Sequence, residues 1–181
     1  MPGRHTAQEA SRTILVWDLF VRIFHWSLVL SVFSAFFFTE AGERPHEIAG
    51  YLALGLVCAR VIWGFTGTQY ARFSQFVPEP KGLAAYMTAL AKRREPRFIG
   101  HNPAGAVMVL ALLAAVLAAG ISGWMLTTDA YFGEAWVEAL HQGVSNALMG
   151  LVGLHVGGVI YTSWRHAENL VRAMFTGHKP S

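Results

Sequence analysis

The chain has 181 residues, of which 54% are hydrophobic and only 14% charged, against roughly a quarter charged in an ordinary soluble domain. So few charged side chains cannot coat a water-facing surface, which excludes the usual soluble fold and points to lipid as the solvent. The formal charge of +3 comes from basic residues lying beside apolar runs, not in one exposed stripe, which argues against a nucleic-acid partner.

The first 12 residues read as a polar tail. The first apolar run, about 18–38, is long enough to cross a hydrocarbon core, which takes about 20 residues. It carries Arg22 and His25 and lacks a small-residue cleavage site, so it reads as a span and not as a removable signal. The second run, about 46–65, holds Cys58, the only cysteine. One cysteine excludes an intrachain disulfide, a CxxC metal or redox pair and a CxxCH haem attachment. Any metal or haem therefore falls to histidine or methionine.

A long link, 66–103, follows. Within it Gly82 to Arg94 sets Leu83, Tyr86, Met87 and Leu90 on one helical face and ends in a basic cluster. That amphipathic helix, about 82–94, suits either the anionic membrane surface or a partner, or a cap on the bundle. Asn102-Pro103 is a helix start, with Asn102 as N-cap and Pro103 in the first turn. The third and fourth runs cover about 104–126 and 140–162, and the last dozen residues read as a second polar tail. No segment alternates with period two, so strands are not expected. A backbone in lipid must satisfy its own hydrogen bonds, which makes each run a helix. The short links favour antiparallel neighbours. The expected fold is all-α, an integral membrane four-helix up-down bundle forming one domain over 1–181.

Eleven Lys and Arg residues fall in the two tails and the 66–103 link. The opposite side has Arg44 alone, and its later link carries Asp129, Glu134 and Glu138. The positive-inside rule then places both termini in the cytoplasm.

Four of the eight histidines lie at matched depths. An ionisable group within a membrane helix is costly and marks function by default, although any one of them could simply bond a neighbouring carbonyl. His141 and His155 are 14 residues apart, which brings them to nearly one helical face, roughly 21 Å apart along the axis. His25 matches the depth of His155 near the inner side, and His46 matches His141 near the outer side. Two His–His pairs suit bis-imidazole ligation of two b-type haems, a six-coordinate arrangement for electron transfer. Zinc usually takes three or four ligands at one level. A proton relay would call for carboxylates within the spans.

Gly50 and Gly150 are candidates to let a flat porphyrin approach the backbone, against the alternative of helix packing. Arg22, one turn before His25, can pair with a haem propionate or snorkel to the interface, and Arg60 has the same two options. His101 and His166 read as solvated interfacial groups, or as aids to quinone protonation.

RIFHW at Arg22 to Trp26, HEIAGY at His46 to Tyr51, GHNPAGAVMVLALL at Gly100 to Leu113, and the His141…GLH segment ending at His155 together resemble the prokaryotic cytochrome b561 family. That family includes the b-type cytochrome subunits of nickel–iron hydrogenases. The resemblance implies two non-covalent haem b groups on the paired histidines, a bacterial inner-membrane location, and electron transfer between the quinone pool and a protein partner. That partner would be a periplasmic c-type cytochrome or a hydrogenase-like redox protein. Two other functions fit the pattern: a superoxide:quinone oxidoreductase, which needs a positive outer funnel, and a haem-stabilised anchor subunit of a redox complex. A homo-oligomer is compatible with each.

Overall fold

The computed structural model describes residues 13–181; the Arg4, His5 and Arg12 part of the N-terminal tail lies outside them. Four long helices dominate: α1 (Leu19–Phe37), α2 (Arg44–Thr66), α5 (Pro103–Leu126) and α6 (Ala135–Arg165). Each is long and apolar enough to cross a membrane. Between α2 and α5 lie a short 3-10 turn, α3 (Phe73–Phe76) and α4 (Pro80–Ala91). After α6 comes a short helix, α7 (Leu170–Thr176).

Local chemistry sets the helix starts. Asp18 caps α1 by accepting the Val21 N–H at 2.8 Å, and its other oxygen accepts the Trp63 indole N–H at 3.0 Å and the Thr68 hydroxyl. One carboxylate thus ties the start of α1 to the end of α2. Asn102 caps α5 through the Gly105 N–H at 2.7 Å, as the sequence leads one to expect. Where α2 meets α3, a Cβ on Gly64 would fall 2.1 Å from the Phe73 ring. Only glycine permits that approach.

Close packing runs α1 to α2, α2 to α5 and α5 to α6. The inner core is small, centred on Phe24, Val57, Leu113, Val116 and Leu148. Large apolar side chains cover the outside, Leu30 at 70% and Leu154 at 64% exposure among them. An apolar exterior around a thin core is what a chain solvated by lipid shows.

Three expectations change. The fourth helix begins five residues early, at Ala135, so Glu138 belongs to its first turn and not to the link. At 31 residues it is about 46 Å long, more than the roughly 30 Å of hydrocarbon. Strands do occur: β1 (Thr13–Leu15) pairs antiparallel with β2 (His178–Pro180). Three residues per strand are too few to show a period, and the pairing joins opposite ends of the chain.

The C-terminal segment is therefore not a free tail. Gly177, with φ +83°, ends α7, and its carbonyl accepts the Val16 and Trp17 N–H groups at 2.8 and 3.0 Å. Lys179 is buried, pairing with Glu168 at 2.9 Å and donating to the Phe98 carbonyl at 3.1 Å. Arg97 joins the same carboxylate and donates to the Pro180 carbonyl. The amphipathic helix is α4, a cap on the bundle: Tyr86 is buried, with its ring against Phe98 at 5.7 Å, while Met87 points outward at 47% exposure.

Candidate cofactor site

The outer histidines meet. His46, in the first turn of α2, and His141, on α6, have ring centres 6.1 Å apart with planes at 78°. Each Nδ1 faces a backbone carbonyl, His46 to Ala35 at 3.1 Å and His141 to Ala119 at 3.0 Å. A carbonyl only accepts, so both Nδ1 atoms carry the hydrogen and both Nε2 atoms keep a free lone pair. Hydroxyls reinforce the arrangement, Thr39 at 3.3 Å from His46 and Ser122 at 3.1 Å from His141. Metal-binding histidines are oriented by the same kind of bond from the second nitrogen.

The spacing can be tested against one shared metal. A metal–imidazole bond of about 2.0 Å, plus roughly 1.1 Å from nitrogen to ring centre, gives about 6.2 Å between two rings on opposite sides of one ion. The observed 6.1 Å agrees. A planar macrocycle also needs room beside the rings. Gly50 lies about 40° around α2 from His46, on the inward face with Ala53 and Val57, yet a Cβ there would meet no atom within 4 Å. That space beside an inward-facing ligand fits a b-type haem. Gly123 instead backs the His141 ring, with a Cβ position 3.1 Å from its Cε1.

Gly150 does not share this geometry. Nine residues from His141, it falls half a turn out of phase, exposed on the opposite face of α6.

The inner pair is less enclosed by polar partners. His25 lies on α1 with its Nδ1 buried and unbonded; His155 is half-buried on α6. Close packing of α6 runs along α5, with α1 and α2 standing further off, which leaves room between the ligand-bearing faces. Arg60 neither snorkels nor reaches solvent. It is 3% exposed, donates to the Ala71 carbonyl at 3.0 Å, lies over the Phe73 ring and keeps one buried nitrogen free. Arg22 donates to the Phe175 carbonyl at 2.7 Å, a partner its sequence position did not suggest.

His101 is the residue sequence reasoning misplaced. It is half-buried and not freely solvated: its ring packs against Trp17 and Phe76, 4.7 Å from each, and its Nδ1 is buried without a partner. Burial, with the positive charges of Arg60 and Lys179 nearby, pushes its imidazole down to about 3. It lines a cavity of about 120 Å³ with Tyr70, Gln75, Phe76, Phe98 and Gly100. The aromatic neighbours come from distant segments, so no local signal shows the burial. Ser122 was legible in principle, as a hydroxyl inside an otherwise apolar run. His166 ends α6 as its C-cap, and His178 sits in β2.

No curated protein and no solved structure matches the chain significantly. The family model described as prokaryotic cytochrome b561 matches residues 16–177, which takes in all four spans and all four paired histidines. The chain therefore belongs to the prokaryotic cytochrome b561 family, membrane b-type cytochromes whose haem carries electrons.

Proposed function

We propose that the protein is a di-haem cytochrome of the bacterial inner membrane, passing electrons between the quinone pool and a redox partner on the face opposite its termini. The observation that carries this reading is the His46–His141 pair, with both Nδ1 atoms on carbonyls and the ring spacing of two imidazoles on one ion. His46 and His141 hold the outer haem; His25 and His155 hold the inner one. When bound, a b-type haem supplies one-electron chemistry at its iron. The protein's part is to present four imidazoles, fix their tautomers at the outer site, leave room at Gly50, and keep water away with apolar walls.

Quinone exchanges on the side of the termini, in the cavity at His101. A neutral imidazole with a free buried nitrogen gives or takes one hydrogen bond, and Tyr70 and Gln75 line the same space. The basic count around this side supports a cytoplasmic location for it. On the other side Glu40, Glu43, Asp129 and Glu134 are exposed beside a single Arg44. That acidic rim suits a basic docking face on a c-type cytochrome or hydrogenase-like partner, and it repels superoxide.

The α6 face turned from the ligands supports a homo-oligomer. Ala139, Gly143, Asn146, Gly150, Gly153 and Gly157 alternate spacings of four and three and are all exposed. Small residues in that pattern let two membrane helices approach closely.

Purified protein in lipid nanodiscs, mixed anaerobically with quinol and then with oxidised basic cytochrome c, tests the reading. Haem reduction followed by reduction of cytochrome c is expected. Haems that stay oxidised under quinol would leave only the anchor role.

A further inference from the structure

A groove of about 350 Å³ runs between α1 and α7, lined by Leu19, Arg22, Ile23, Trp26, Ser27 and the Met174–Phe175 pair. It opens away from the bundle and touches the cofactor face through Trp26, whose ring lies edge-on to His25 with centres 4.9 Å apart. Around α1, Trp26 stands about 100° and Ile23 about 160° from His25, and Leu19 and Ile23 are 62% and 58% exposed. The groove therefore opens to lipid and not into the bundle.

Its polar content is unspent. Arg22 gives one N–H to the Phe175 carbonyl at 2.7 Å, but its Nε is buried with no partner, and so is the Trp26 indole nitrogen. The indole is held by stacking on Phe175, centres 4.3 Å apart and planes within 18°, so it cannot turn away to find water. The Arg22 charge is unmatched as well. Asp18, one turn earlier, is occupied by Val21, Trp63 and Thr68, and among the described residues no carboxylate pairs with Arg22. A cation and two N–H donors at the mouth of a span, with apolar rails leading into the membrane, complement an anion that carries an acyl chain.

We propose that this groove binds one anionic phospholipid, its phosphate on Arg22 and Trp26 and an acyl chain along Leu19 and Ile23. The site takes no atom from the histidines but adjoins His25 through Trp26, so haem content is read beside lipid binding in the test.

The test is native mass spectrometry of the full-length holoprotein, titrated with phosphatidylglycerol or with phosphatidylcholine of the same chains. The Arg22→Gln and Trp26→Phe variants are run alongside; the second keeps an aromatic ring against Phe175 and removes the indole N–H. One phosphatidylglycerol should bind in preference, about tenfold more weakly in Arg22→Gln, as befits loss of a charge-assisted hydrogen bond, and a few-fold more weakly in Trp26→Phe. Equal binding of the two lipids, or phosphatidylglycerol binding unchanged in both variants, overturns the proposal. So does an Arg22→Gln protein that keeps the lipid and loses one haem, because Arg22 would then serve the cofactor. Displacement of the lipid by stoichiometric quinone overturns it in favour of a quinone site.

Discussion

His46 on α2 and His141 on α6, almost a hundred residues apart in the chain, hold their imidazoles 6.1 Å apart, each anchored through Nδ1 to a carbonyl of a third or fourth helix, Ala35 of α1 or Ala119 of α5. All four spans thus contribute to one site. Loss of an outer-shell partner typically costs 10–100-fold in metal affinity. Ser122→Ala removes one of two partners of His141 and leaves the Ala119 carbonyl, so the low end applies. Haem titration should show outer-site affinity falling about tenfold, with the inner site unchanged.

Gly50 separates a cofactor role from a packing role. Because its Cβ direction is empty, Gly50→Leu should leave the helical fold intact by circular dichroism while occupancy of the outer haem falls about tenfold or more, the steric cost of filling a ligand's space. Gly150→Leu, on the outward face, should leave haem content alone and weaken any dimer seen by cross-linking. If Gly150→Leu lost haem and Gly50→Leu did not, the assignment of faces would be wrong.

The clasp over the termini should be acid-sensitive. Burial pushes the Glu168 carboxyl up, but hydrogen bonds from Lys179 and Arg97 and their charges outweigh it, leaving its pKa below the ordinary 4.5. A depressed carboxylate contributes stability that is present above its unfolded value and lost as pH falls through the folded one. Amide exchange at Val16 and Gly177, whose N–H groups are bonded to Gly177 and Ala173, should stay slow above about pH 5 and quicken below about pH 4. Lys179→Met should give the faster exchange already at pH 7, at a cost of about 3 kcal/mol for breaking a buried pair.

Much of this architecture is legible in the sequence because lipid imposes a simple grammar. A span needs an apolar length and a start, and Asp18 and Asn102 supply the starts. The meeting of His46 and His141 is legible because helical rise turns sequence distance into depth. The β1–β2 ribbon, the Lys179–Glu168–Arg97 cluster and the burial of His101 are not, since each depends on residues far apart in the chain. Gly150 shows a different failure: it lies near a ligand in sequence, but the helical phase that decides what it faces puts it on the other side.

The acidic rim leads to an ionic-strength test. Reduction of a basic cytochrome c by the quinol-reduced protein should slow by about tenfold between low and physiological salt, as steered association does. Charge reversal at Glu43 and Asp129 should flatten that dependence.

The central claim is the two-pair ligation, and haem stoichiometry tests it most directly. Reduced-minus-oxidised spectra and haem per chain would be measured on the purified protein and on His46→Ala and His25→Ala. Two b haems per chain, with each variant losing a different one, is the result expected. One haem or none, or a haem content untouched by either substitution, would contradict it.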